Sequence, residues 1–532
     1  MLLLALFAAL VSATSSAFEA NCNHIAHYIG SNAVHVRAGQ YLPKGSVIDH
    51  KAEGLNATCQ PSQAPSIPVD LCRAILEITT SESSSILTEI WLPKEWEGRL
   101  LSVGNGNFDG CIDYPQIVYG TSLGFATVSS NGGHNGTSAG AFFKQPEVLT
   151  DFSWRAVQQS TTVGKALVDR FYIRRNFTTY YTGCATGGRQ GLRTVQADPE
   201  LFDGVVMGAP ATNLGSIIMW YGAVLEGLFR GNISDAYLTK GNWNVVHEEV
   251  LDQCDELDGA KDGIIEDPRQ CHIETLALNC WMVNRTNCLT TSQAFAVDQI
   301  FSKIDFGIEY SYPGAAYGSE AALASALVDN LKIDPLLALL TDWYRYISPA
   351  NITWQPSDYD SSDAYRSLKD APSDLQPLGA DLIAFYNHGG KILHWHGSSD
   401  PLISVFNSDR FYDSVVNVTA PGNSSTIDDF YRYFRLSGTE HCAGGGPGAN
   451  YVGQDGRGTP DKAKPEENVL LALAEWVENG KAPEVLKGVR WVDDDPRRGV
   501  EFKRKHCRYP FTNRYKGPGD GKDEEGWECV QL

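Results

Sequence analysis

A few widely spaced residues carry the chemistry this chain could do. Asp400 follows the apolar run Lys391-Ile392-Leu393-His394-Trp395 and a short Gly397-Ser398-Ser399 turn. A carboxylate just past a strand's carboxyl end is placed to orient an imidazole. His441 follows an alternating stretch, Asp429 to Leu436, and a break at Ser437-Gly438. A His on a loop after the last strand can act as a general base. His134, His394 and His396 are rivals, but the last two fall within a strand and read as packed or hydrogen-bonded core residues.

A base and its carboxylate need a nucleophile, and one stretch has the form to present it. Thr178 to Thr182 is β-rich, a helical pattern runs from Arg189 towards Ala197, and Gly183, Ala185, Gly187 and Gly188 crowd the joint. This is the pattern of a nucleophile elbow, a sharp strand-to-helix turn that lifts one side chain above a sheet. Ser is expected at the apex, where this chain has Ala185. Ala has no Oγ, and Thr186 leaves the turn in another direction. Cys184 as a substitute nucleophile is the weaker alternative, since it stands one residue off the apex.

The surrounding elements alternate. Leu100 to Val103 and Gly124 to Ser129 read as strands, Trp154 to Tyr172 has helical spacing, and Phe202 to Met207 is a further strand. Strand and helix in alternation imply right-handed crossovers and a parallel sheet. With the order elbow, Asp, His, this predicts an α/β-hydrolase fold. Ile86 to Leu92 is strand-like, and Val469 to Val477 is an amphipathic helix. Gly104 to Gly110 is a glycine-rich loop after a strand, and its backbone N–H groups, Gly106 among them, can face a developing oxyanion together with Thr186. From 211 to 375 the alternation breaks, which predicts an inserted lid domain between catalytic parts at 18–210 and 376–532. Within it Asp255, Asp258 and Asp262 stand three and four apart among glycines, a spacing that suits a hard cation such as calcium, with a solvated acidic turn as the alternative.

Composition sets the compartment and excludes some partners. The formal charge is -21 over 532 residues, with no basic cluster, which argues against nucleic acid and anionic membrane. Met1 to Ala17 carries an apolar run, Leu2 to Val11, and small residues up to Ala17; it reads as a secretory signal rather than a membrane anchor, for which it is too short. It lacks the usual N-terminal charge. Twelve cysteines and eight Asn-X-Ser/Thr sequons, at Asn56, Asn135, Asn176, Asn232, Asn284, Asn351, Asn417 and Asn423, fit a secreted, extracellular glycoprotein. Spacing alone does not pair the cysteines, and the oligomeric state stays open, a homodimer among the options.

Residues 183 to 191 read Gly-Cys-Ala-Thr-Gly-Gly-Arg-Gln-Gly. With Ser in third place this is the signature of the fungal tannase and feruloyl esterase family, and the chain resembles its feruloyl esterase B-type members from Cys22 to Cys529. The resemblance implies a triad at Ala185, Asp400 and His441, lacking only its Ser. It also implies a lid and a structural Ca2+ ion on Asp255, Asp258, Asp262 and the carbonyls of Ala260 and Ile264. The disulfides it implies are Cys22–Cys72, Cys59–Cys111, Cys184–Cys442, Cys254–Cys271, Cys280–Cys288 and Cys507–Cys529. The implied substrates are phenolic esters, such as feruloylated polysaccharide in xylan degradation, or galloyl esters. Two other readings are a silent or repurposed member that binds phenolic esters, and an acid/base role for His441 and Asp400 without acylation. A Ser replaced to trap a substrate and a natural variant fit Ala185 equally.

Overall fold

The computed structural model describes residues 17–59, 64–229, 235–282, 287–307, 310–329, 335–421, 424–454, 464–517 and 519–531. The apolar leader up to Ser16 and the sequons Asn232, Asn284 and Asn423 lie outside them. The chain divides into two compact units, Met1–Gly183 with Gln190–Val205, and Cys184–Arg189 with Val206–Leu532.

In the first unit, strands β1 (Val34–Leu42), β2 (Leu71–Thr79), β3 (Ser85–Pro93), β4 (Arg99–Val103), β5 (Ala126–Ser130) and β6 (Thr178–Cys184, its last residue in the second unit) lie in the order β1-β2-β3-β5-β4-β6. β4 pairs parallel with β5 and β6, whereas β1, β2, β3 and β5 pair antiparallel in succession. The sheet is therefore mixed rather than wholly parallel. Every residue of β5 is buried, the condition of a strand covered on both faces. Helix α1 (Ala156–Tyr172) lays Leu167, Val168 and Phe171 on the core formed with Leu76, Ile90, Leu100 and Val128.

β6 ends at Cys184, and α2 (Thr186–Ala197) begins two residues later. The helix thus starts three residues before the Arg189 suggested by side-chain periodicity, because Ala185 alone makes the turn. β7 (Gly204–Gly208) follows, its last three residues in the second unit. That unit also holds α3 (Leu214–Phe229), β8 (Lys391–Gly397), α4 (Val405–Thr419) and β9 (Tyr431–Leu436), with strands in the order β7-β8-β9 and β8 parallel to β9. Residues 211–375 belong to this unit, and their described elements are mostly helices. Two antiparallel hairpins close the chain, Val485–Trp491 with Val500–Cys507 and Phe511–Tyr515 with Trp527–Gln531. Cys507–Cys529 cross-links strands of the two.

Two signature residues at the start of α2 explain local packing. At Gly188, a Cβ would stand 2.9 Å from the Gly208 carbonyl oxygen and 3.0 Å from Pro210 Cβ, so helix and strand approach only with Gly there. Arg189 is buried, and its guanidinium donates to the carbonyls of Thr212 (3.1 Å), Asp374 (2.8 Å) and Gln376 (2.8 Å). One side chain thereby joins the two ends of the 211–375 segment. Leu378 N also donates to Thr212 O at 2.9 Å. Replacing Arg189 by Leu leaves buried carbonyls without these donors, at a cost of about 1–3 kcal/mol. The expected outcome is a lower midpoint of urea unfolding; an unchanged midpoint would remove the clamp from the account.

Candidate active site

The elbow residue holds an unusual backbone. Ala185 has φ 58°, a left-handed conformation that costs a non-glycine residue of order 1–3 kcal/mol and persists only where the surroundings enforce it. Here three main-chain hydrogen bonds do so. Ala185 N donates to Gly208 O (3.0 Å), and Ala185 O accepts from Arg189 N (3.1 Å) and Ala211 N (3.0 Å). The strained turn is held by main-chain bonds alone. Thr186 is the first residue of α2, at the positive end of the helix.

Asp400 sits just past β8, with its carboxyl fully buried. Its Oδ1 accepts from Leu402 N (2.8 Å) and Ile403 N (2.9 Å). Its Oδ2 lies 2.7 Å from His441 Nδ1 and 3.2 Å from His396 Nε2. Burial by itself would raise the carboxyl's pKa; the charge of His441 and the hydrogen bonds from His396 and His441 outweigh it and hold the group well below the usual carboxylate range. Because Oδ2 takes the Nδ1–H of His441, the basic lone pair of that ring is on Nε2.

Cys184 and Cys442 form a disulfide with Cα atoms 5.9 Å apart, closing 258 residues of sequence. Ala185 and His441 each stand one residue from this bridge, so the elbow and the His loop are covalently tied. Cys184 is thus no free thiol. The other bridges are Cys22–Cys72, Cys59–Cys111, Cys254–Cys271, Cys280–Cys288 and Cys507–Cys529.

The structure brings Asp400 and His441 into contact, and the bridge brings the elbow beside the His loop. The segment 211–375 packs on the loop after Asp400: Tyr221 Oη donates to Leu402 O (2.9 Å), and Tyr312 Oη accepts from Ser404 N (2.6 Å). Gly106 belongs to the first unit. There the signature residue Gln190 accepts from Asn105 N (2.8 Å) and donates to Phe152 O (2.6 Å), which fixes the glycine-rich loop next to Gly106. Of the rival histidines, His394 and His396 are fully buried on β8, and His134 is bonded to Phe108 O in the first unit. Reading from sequence missed the roles of Arg189, Gln190 and His396; only the spacing His394-x-His396-x-x-x-Asp400 hinted that His396 could reach the carboxylate.

In the 254–271 disulfide loop, Asp255 Oδ1 accepts from the N–H groups of Asp262 (3.2 Å) and Gly263 (2.9 Å), and Asp258 Oδ1 from Ala260 N (2.8 Å). Asp258 Oδ2 is buried with no hydrogen-bond partner. Burial, then the charge of Glu266, pushes the Asp258 carboxyl up to about 8. Carboxylates and carbonyls are the donor set of a hard cation, and a buried unpaired oxygen fits one. The side chains do not yet converge. Arg504 pairs with Asp262, and among the described residues no three acidic, His or Cys side chains stand close enough to share a metal ion.

Comparison with known proteins gives this geometry its family. The family model of tannase and feruloyl esterase matches residues 72–333 and 346–530. The chain belongs to the tannase and feruloyl esterase family. Among the relatives of this family member, "Probable feruloyl esterase B" of Aspergillus clavatus is 41% identical over 522 residues, 97% of each chain. The crystal structure of an esterase from Aspergillus oryzae superposes with TM-score 0.89 at 40% identity, covering 96% of this chain and 100% of that one. The crystal structure of feruloyl esterase B from Aspergillus oryzae gives TM-score 0.86 at 38% identity, with the same coverage. The fold is α/β-hydrolase, and the family is one of carboxylic ester hydrolases.

The Asp400 charge makes a prediction about acid. Its folded pKa lies below the unfolded value of about 3.9, so the stability it contributes is complete above that pH and is lost as pH falls towards the folded value. The gap in urea midpoint between the parent and Asp400→Asn should therefore narrow from about pH 5 to about pH 3. A gap that stays constant over this range would show that the carboxylate is not held as described.

Proposed function

We propose that this chain is a secreted esterase scaffold for phenolic esters of plant cell-wall material, feruloyl and other hydroxycinnamoyl esters first, whose Ser-His-Asp machinery stops at Ala185. The observation that carries the reading is the His441–Asp400 hydrogen bond of 2.7 Å, bridged to an elbow still held at φ 58°. With Ser at 185, Oγ would attack the ester carbonyl and its proton would pass to His441 Nε2. His441 would then give that proton to the departing alcohol while Asp400 steadies the ring. Water, deprotonated by the same nitrogen, would release the acyl group. The Thr186 N–H, following the apex, is the oxyanion donor of the elbow.

Ala185 can form no acyl-enzyme. Without its nucleophile such a site retains catalysis of about 10³–10⁴ over water, from binding and the oxyanion hole. This favours a second reading, a silent or repurposed member that holds phenolic esters, galloyl esters included, without turning them over. The leader and the sequons support secretion; of the described sequons, Asn135, Asn176, Asn351 and Asn417 are exposed. The lid of this reading is the 211–375 segment clamped by Arg189.

Ala185→Ser should raise hydrolysis of methyl ferulate by at least about 10³-fold over the parent. A folded Ser form as inactive as the parent on feruloyl, caffeoyl and galloyl esters would sink the proposal.

A structural calcium ion on Asp255, Asp258, Asp262 and the carbonyls of Ala260 and Ile264 belongs to the same reading. Its binding would draw on the unpaired Asp258 oxygen and require Asp262 to leave Arg504. Calcium should raise the melting temperature by mass action, and EDTA should lower it. Metal-free purified protein whose melting is indifferent to both would exclude the ion.

A further inference from the structure

A chain of hydrogen bonds reaches Asp400 from inside the second unit. His396 Nε2 lies 2.8 Å from the carbonyl oxygen of Ile403. A carbonyl only accepts, so Nε2 carries a hydrogen, and the same N–H reaches Asp400 Oδ2 at 3.2 Å. His396 Nδ1 lies 2.6 Å from Ser408 Oγ. In the neutral ring that nitrogen accepts, which uses the one proton of the hydroxyl. His394 Nε2, 2.9 Å from the same Oγ, must then donate to it. His394 Nδ1 is left as an acceptor, and the Tyr431 hydroxyl at 2.9 Å donates to it.

Every proton in this chain follows from one carbonyl and two neutral rings. Tyr431, His394, Ser408, His396 and Asp400 are all at most 1% exposed. Burial holds His394 well below its ordinary value, so its ring is neutral. Burial likewise keeps the proton on the Tyr431 phenol.

We propose that His396 is a positioning residue for the Asp400–His441 pair: Tyr431, His394 and Ser408 fix its tautomer so that it turns an N–H, and not a lone pair, to the Asp400 oxygen that receives His441. That oxygen is then held from two sides. A carboxylate free to rotate would lose its hold on His441, and a misplacement of about 1 Å can cost roughly 10²-fold in rate. The catalytic consequence rests on the esterase reading; the geometry does not. The other groups facing Asp400 are Glu440, beside His441, and Tyr312, from the 211–375 segment.

The test has two arms. In the parent chain, ring nitrogen NMR of labelled histidines at about pH 8 should show His394 and His396 as Nε2–H tautomers. A charged or Nδ1–H His396 overturns the proposal. The titration midpoint of His441 should rise by about one pH unit in His396→Leu, because the carboxylate loses a competing donor and better stabilises the imidazolium. It should return in His396→Gln, which keeps an N–H near Nε2. In the Ala185→Ser protein, kcat on methyl ferulate should fall about 10–100-fold in His396→Leu with KM unchanged, and recover in the Gln form. Leu and Gln forms that behave alike overturn the proposal. If the Leu form does not fold, Ser408→Ala decides: it should admit an Nδ1–H fraction of His396, and an unaltered ring spectrum overturns the proposal. If the Ala185→Ser protein hydrolyses none of the esters, the esterase reading fails, and the ring spectra still decide the role of His396.

Discussion

A carboxylate with no exposed surface must have its lone pairs filled, and the second unit is arranged around meeting that demand at Asp400. Removing a carboxylate from water carries an effective penalty of several kcal/mol, returned only by close donors and opposite charge. Four N–H groups supply them, two from the following backbone and two from imidazoles. The backbone pair folds the 400–403 loop against the strand end. Tyr221 grips that loop at Leu402, and Tyr312 the next residue, Ser404, both from the 211–375 segment. The position of His441 is a consequence of the same electrostatics, because its Nδ1–H is one of the four donors.

The signature around the elbow divides its labour by residue. Gly188 lets α2 approach Gly208, Arg189 joins the ends of the 211–375 segment, and Gln190 secures the glycine-rich loop. Gly191 leaves room for the Tyr181 ring. Of these only the glycines have a reason visible in local geometry. The others act on segments far away in sequence, Arg189 on carbonyls up to 187 residues distant. A short motif can therefore serve packing and connection in one turn of helix.

Buried strands were legible because apolar and small residues dominate them: β4, β5, β7 and β8 lie within one or two residues of where the sequence runs put them. β1 was not legible, since its positions are half-exposed and include His35, Arg37 and Gln40. β2 hid for another reason. Its buried Arg73 reads as a surface residue until Glu53 and Glu89 are seen to pair with it. The C-terminal hairpins were not legible either, since one of their strands carries Lys503, Arg504 and Lys505. At the site, chain order made Asp400 and His441 legible. The six cysteine pairs are those the family resemblance implied, although spacing alone left them open. The part played by His396 was not legible, because an imidazole on a buried strand reads as core until its tautomer can be traced through Ser408.

Ala185 shows which parts of this site the fold maintains for itself. The φ of 58° is set by hydrogen bonds to Gly208, Arg189 and Ala211, none of which uses a side chain of residue 185. An alanine there neither relieves the strain nor opens a cavity, being one oxygen smaller than serine at a position already 7% exposed. Stability therefore discriminates weakly between the two residues. The elbow, the bridge and the Asp400 donors are held by main-chain bonds, a disulfide and imidazoles, whatever side chain stands at 185. The backbone of the elbow, the bridge and the Asp400–His441 bond all assemble with alanine at 185.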